Sequence, residues 1–233
     1  MMPEPFVVQT IASFLSHCMY SAPTGGGGAD GGGGADGGGA SDGGGGGGAP
    51  PCYAVDVGGN LGVHTAYMAA LGAAVDVIEP ARDLSRSIEA TARVNCWEGR
   101  VRVFPNAISG DAREEGKAMM FNGGWRLDDR GARNRRRHTT SIVSLQRFLR
   151  GRRRVDLLKI DIDSARVEAS LMVALEAMVA AGEADVRAVV FEAQSAQGAA
   201  TSALAAALSR LQRRHGYHAY RLAHHLHSVA DPE

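Results

Sequence analysis

The chain has 233 residues and a formal net charge of zero. That length can bury one sizeable core, and the balanced charge offers no global field to draw the protein to nucleic acid or a membrane surface. Lys117 and Lys159 are the only lysines among many arginines, and Ala and Gly are in excess, a bias of GC-rich coding rather than a sign of function. Cys18, Cys52 and Cys96 are an odd set without metal-ligand spacing or a disulfide framework, which favours a reducing, cytoplasmic setting.

The N-terminus lacks a positive region and carries Glu4, and its apolar run is interrupted by Gln9, Thr10 and Ser13. It makes a poor signal peptide and is too short to span a bilayer. The first eighty residues contain no Arg or Lys, so an organelle transit peptide stays open without support. Residues 1–24 form the first segment, with an amphipathic helix expected over 3–20 and packed on the body of the protein. Residues 25–50 are nearly pure glycine with interspersed Ala-Asp, including two copies of Gly-Gly-Gly-Gly-Ala-Asp. A stretch of that composition cannot bury a core and reads as a flexible surface insert, too rich in glycine to be a phosphate cradle.

The informative unit begins at Tyr53. Tyr53–Val57 is short, apolar and rich in β-formers, as an inner strand of a parallel sheet should be. Gly58, Gly59 and Gly62 allow a tight turn and close approach to the main chain. A helix starts near Val63 with Tyr67, Ala70 and Leu71 on one face, and Gly72 stops it. Residues 75–78 form a second strand, and Glu79 stands at its carboxyl end, about 20 positions after the turn, where a ribose hydroxyl pair would be held.

A helix over 84–94, capped by Asp83, follows, and then a strand over Val101–Phe104 that runs into Pro105, Asn106 and Ala107. Residues 110–137 read as a loop-rich excursion, 140–143 as a short strand and 144–149 as a helical turn. Residues 155–162 are the clearest strand after the first. A helix over 166–181, a strand over 186–192, a helix over 201–215 with Leu204, Leu208 and Leu211 on one face, and a sixth strand over 217–222 complete the alternation. Such alternation builds an α/β, doubly wound, Rossmann-like sheet with helices on both faces. Ligands of these sheets lie outside the carboxyl ends of the strands, and Asp56, Glu79, Asn106 and Asp161 all fall near predicted carboxyl ends.

Two cofactor classes compete for the glycine turn. Dinucleotides favour Gly-x-Gly-x-x-Gly, with pyrophosphate on the helix N-terminus. Here the order is Asp56-x-Gly58-x-Asn60-x-Gly62, and an acid before the turn suits a cationic ligand bearing an amino acid. S-adenosylmethionine is such a ligand and ranks ahead of a dinucleotide. Glu79 would accept the ribose hydroxyls, which a carboxylate does better than an amide. Asp56 would act through the turn backbone or through water, and Asn60 would either take a left-handed turn conformation or bond the ligand.

Asp56-Val-Gly-Gly-Asn-Leu-Gly-Val-His-Thr65, then Val-Ile-Glu79-Pro80, then Asn106-Ala107-Ile-Ser, then Asp156-Leu-Leu-Lys-Ile-Asp161-Ile-Asp163 resemble the FkbM family of S-adenosylmethionine-dependent methyltransferases. The similarity runs over roughly 53–192, with a weaker echo to Leu222. It implies a class I methyltransferase domain over 51–223 and a tail over 224–233, with Asn106 and Ala107 on the adenine side of the cofactor. Asp161 and Asp163 would lie beside the transferred methyl, where an acid orients or deprotonates a hydroxyl acceptor. Asp163 equally suits a helix N-cap.

The chain departs from that pattern after the strand. Asp163-Ser164-Ala165-Arg166 stands where the family usually has Glu-Gly and a further Glu, and Gly59 stands where Ala is usual. A cofactor-binding protein with impaired turnover is therefore a rival reading. A dinucleotide oxidoreductase of the same fold is a second. A third is an RNA-binding protein using Arg130, Arg133, Arg135, Arg136 and Arg137, although no aromatic interleaving supports base stacking. His224, His225 and His227 have no partner acid or cysteine at metal spacing, so no metal is expected. The expected acceptor is a small molecule or glycan whose specificity resides in residues 110–150. A seventh strand, common in this family, is either contributed by the histidine-containing tail or missing.

Overall fold

A computed structural model describes residues 5–20, 52–122, 137–151, 154–191 and 199–218. The glycine-rich insert, the arginines at 130–136, Glu192, residues 219–222 of the expected sixth strand and the histidines of the tail lie outside the described residues.

Five parallel strands form the main sheet in the order β3-β2-β1-β7-β8. They are β1 (Tyr53–Val57), β2 (Ala74–Ile78), β3 (Val101–Phe104), β7 (Leu157–Ile160) and β8 (Val189–Phe191). The chain moves outward from β1 to β3, then returns to β7 on the other side of β1, so the order reverses at β1/β7. β1, β2 and β7 are buried almost throughout, as inner strands of a parallel sheet are, and each carries one buried charged residue, Asp56, Asp76 and Lys159, among apolar neighbours.

Helices cover both faces. On one face α1 (Pro5–Tyr20), α2 (Val63–Ala70) and α3 (Arg82–Val94) enclose a cluster that includes Ile11, Leu15, Met68, Val75, Val77, Ile88 and Leu157. On the other face α4 (Leu145–Leu149), α5 (Ala165–Ala180) and α6 (Ala199–His215) enclose Val55, Ile78, Phe148, Ile160, Leu171, Leu175 and Leu211. Leu204 and Leu208 pack against this second cluster as their spacing predicts. Ile11 and Leu15 of α1 are fully buried, so the N-terminal helix is part of the core.

Several local expectations are corrected. A second, three-stranded sheet, β4-β6-β5, brackets the predicted excursion and draws residues 118–122 of it into a strand. Its strands are β4 (Ala107–Ser109), β5 (Ala118–Asn122) and β6 (Arg137–Ser144). β5 runs antiparallel to β6 with Met119 opposite Thr140. The third helix begins at Arg82 with Ala81 as its N-cap, and Asp83 lies in its first turn instead. Cys52, buried beneath α1, is disulfide-bonded, contrary to the expectation of reduced cysteines. The fold brings α1 directly over it, with Cys52 Sγ 3.7 Å from the Leu15 carbonyl. Among the described residues no helix is long and apolar enough to cross a membrane.

Candidate cofactor site

Parallel register aligns the carboxyl ends of three strands. Val57 pairs with Ile78 on one side and Ile160 on the other. The next residues, Gly58, Glu79 and Asp161, therefore sit side by side on one rim. Gly58 N–H donates to the Ile78 carbonyl at 2.9 Å, and Asp161 N–H donates to the Val57 carbonyl at 3.0 Å. Glu79 N–H donates to Phe104 at 3.1 Å, which brings the end of β3 and Asn106 to the same edge.

The turn after β1 is shaped by its own packing. Gly58 has φ +81°, and a Cβ there would stand 1.9 Å from the Asp161 carbonyl oxygen. A Cβ at Gly59 would meet Val77 Cγ1 at 2.4 Å, and one at Gly62 would meet Ile88 Cγ1 at 2.8 Å. Protein atoms already fill the space a side chain would take, so these glycines let the turn close on β7, β2 and α3. Asn60 takes the left-handed conformation anticipated for it, with φ 49°.

Glu79 is 5% exposed. Its Oε2 accepts the Asn60 N–H at 2.8 Å and its Oε1 accepts the Ala81 N–H at 2.8 Å. Burial raises its pKa above the ordinary glutamate value, against the lowering effect of those two bonds; Asp56 adds to the rise and Lys159 opposes it. Each carboxylate oxygen keeps a further lone pair, and Asn60 Oδ1 is buried with no hydrogen-bond partner among the described residues.

Asp56 is fully buried. Thr65 Oγ1 donates to its Oδ2 at 2.6 Å, and Lys159 Nζ donates to its Oδ1 at 3.0 Å. Register places Asp56 directly opposite Lys159 on the neighbouring strand. Lys159 Nζ also lies 3.3 Å from Asp161 Oδ2 and donates to the Gly58 carbonyl at 3.4 Å. Burial pulls the Lys159 pKa down most strongly, but the two carboxylates together hold it above the ordinary lysine value.

Asp161 is the open member, with 41% of its side chain exposed. Asp163 is exposed and holds a left-handed backbone, φ 53°. It is not the N-cap of α5: Ser164 has that position, without a side-chain capping bond. Asn106 turns its amide Nδ2 to Ser141, 2.7 Å from Oγ and 3.2 Å from the carbonyl oxygen. Ala107 is buried in β4 opposite Ile142.

Two residues escaped the sequence reading. Thr65 fixes Asp56 from α2. Glu168 in the first turn of α5 is 2% exposed, and its Oε1 accepts the Ile162 N–H at 3.2 Å, steadying the segment between Asp161 and Asp163. An acid in a helix's first turn is the one signal the sequence offers for Glu168. A groove of about 220 Å³ between α3 and β3, lined by Glu89, Ala92, Arg93, Glu98, Val101 and Val103, includes none of the rim residues. Among the described residues no group of three or more His, Cys, Asp or Glu side chains could hold a metal ion.

A five-stranded parallel sheet clothed on both faces, with a glycine turn after β1 and an acid after β2, defines a doubly wound, Rossmann-like α/β fold. Residues 56–218 match the family model described as Methyltransferase FkbM domain, and the chain belongs to that family. No curated protein matches the chain. Among solved structures it is similar to one titled "StiE O-MT residues 961-1257", with 11% identity and a TM-score of 0.31 over 54% of this chain and 33% of that one. The chain thus spans about a third of that neighbour's length.

Proposed function

We propose that this protein is an S-adenosylmethionine-dependent methyltransferase acting on a hydroxyl oxygen of a small molecule or glycan. The observation that carries the reading is the pairing of buried Glu79 with the turn residue Asn60, whose Oδ1 is buried and has no partner among the described residues. This donor set fits the cofactor. Carboxylate oxygens with spare lone pairs suit ribose hydroxyls, and an orphaned amide oxygen suits an ammonium group. A pyrophosphate is a poor fit, because Asp56, Glu79 and Asp161 meet there and the nearby lysine is committed to two of them.

The bound cofactor would supply an electrophilic methyl on a sulfonium. Glu79 and Asn60 would hold the nucleoside and amino-acid ends, with Gly58 and Gly62 shaping the turn between them. Asn106 and Ala107 would border the adenine side. Asp161, open to solvent, would orient a hydroxyl acceptor and take its proton, while Asp163 shapes the entry to α5. Alignment of the acceptor oxygen supplies much of the rate in such a displacement.

Calorimetric titration with S-adenosylhomocysteine tests the reading, with NADH as control. One-to-one binding of the former alone is expected, weakened in Glu79→Ala. Preference for NADH would replace the reading with an oxidoreductase. Affinity without methyl transfer to any acceptor would favour the impaired-turnover reading motivated by Asp163-Ser164-Ala165-Arg166.

A further inference from the structure

We infer that Lys159 is a positioning residue for this site, holding the glycine turn and Asp161 in one fixed relation. The inference rests on the cofactor reading given above. An ammonium has three donors and no acceptor, and Lys159 has three oxygen neighbours. They are Asp56 Oδ1 at 3.0 Å, Asp161 Oδ2 at 3.3 Å and the Gly58 carbonyl at 3.4 Å. One belongs to the buried interior, one to the exposed rim and one to the turn itself.

The arrangement exceeds what burial of Asp56 requires. A pair formed by Asp56 and Lys159 alone would balance the interior charge. Lys159 instead reaches past Asp56 to the open carboxylate, two residues along its own strand. Asp56 is in turn fixed by Thr65 of α2, so the chain Thr65–Asp56–Lys159–Asp161 crosses α2, β1 and the end of β7. Asp161 is thereby tethered at Oδ2 while its side chain stays 41% exposed. Arginine would not substitute well, since its planar fork cannot point three donors at these three corners.

Two measurements test this. The first is nitrogen-15 NMR of protein labelled at lysine Nζ, where Lys117 is the only other lysine and Lys117→Arg completes the assignment. The expected result is a Lys159 ammonium signal visible at neutral pH, displaced in Asp161→Asn and again when S-adenosylhomocysteine is added. A signal unmoved by Asp161→Asn would overturn the bridge.

The second is calorimetry on Asp56→Asn/Lys159→Met, which removes both buried charges together and so keeps the interior balanced where Lys159→Met alone would not. Its thermal midpoint should stay near that of the wild type while affinity for S-adenosylhomocysteine falls about tenfold, the equivalent of one charge-assisted contact. A folded double variant that binds as tightly as a binding wild type defeats the positioning role alone. A wild type that binds no S-adenosylhomocysteine defeats the cofactor reading, and the positioning role with it.

Discussion

The backbone N–H of Asn60 donates to Glu79 Oε2 at 2.8 Å, joining the glycine turn after β1 to the end of β2. The other oxygen holds the Ala81 N–H at the start of α3. One side chain therefore organises two loops. Glu79→Ala should destabilise the protein by about 2–4 kcal/mol, because two partly buried N–H groups lose a charged acceptor. It should also weaken S-adenosylhomocysteine binding by about 1–3 kcal/mol. Chemical denaturation and calorimetry read the two effects separately.

The same residue sets a pH dependence. Burial raises the folded-state pKa of Glu79 above its ordinary 4.5. The folded protein therefore holds this proton more tightly than the unfolded chain. Its stabilising contribution is fully present below the unfolded value and is lost as pH rises through the folded one. The wild type should lose stability relative to Glu79→Gln across that window and run parallel to it above. Cofactor affinity should move the other way, rising as Glu79 ionises and becomes the better acceptor. Denaturation of both proteins at a series of pH values, with calorimetry on the wild type, checks the signs.

The glycines should differ sharply in what they tolerate. Gly58→Ala places a Cβ against a backbone carbonyl at positive φ, costing about 3 kcal/mol or more. Gly59→Ala meets side-chain carbons, Val77 Cγ1 and Ile88 Cδ1 most closely, and no backbone atom among its nearest neighbours, and should cost about 1–3 kcal/mol. Thermal unfolding of the two variants orders them, and a reversed order would contradict the packing described.

Lys159→Met should cost about 3–5 kcal/mol by leaving Asp56 as an uncompensated buried charge. Because the Lys159 pKa is raised above 10.5, its contribution is complete at neutral pH and is lost only as alkaline pH passes the folded value. Base titration of wild-type stability checks this: the loss should begin above pH 10.5 and be absent from Lys159→Met.

The inner strands β1, β2 and β7 were legible in the sequence because each is a short, mostly apolar run buried on both faces. Glu79 and the glycine turn were legible because their spacing lies within one local unit. Of the second sheet only the middle strand was legible, as the short strand over 140–143; Ala118–Asn122 carries no alternation, and its partner is recruited from beyond residue 136. The three-way engagement of Lys159 was half legible. Its distance from Asp161 along a strand is fixed by period two, but its place opposite Asp56 depends on a register between strands about a hundred residues apart. The reason for Gly59 also needed the fold, since Val77 and Ile88 approach it from other elements.

The most direct measurement is a crystal structure grown with S-adenosylhomocysteine. The account predicts both ribose hydroxyls within hydrogen-bond distance of the Glu79 carboxylate and the ligand's ammonium near Asn60 Oδ1. Ligand bound away from the β1/β2 rim, with Glu79 touching only Asn60 and Ala81, would contradict it.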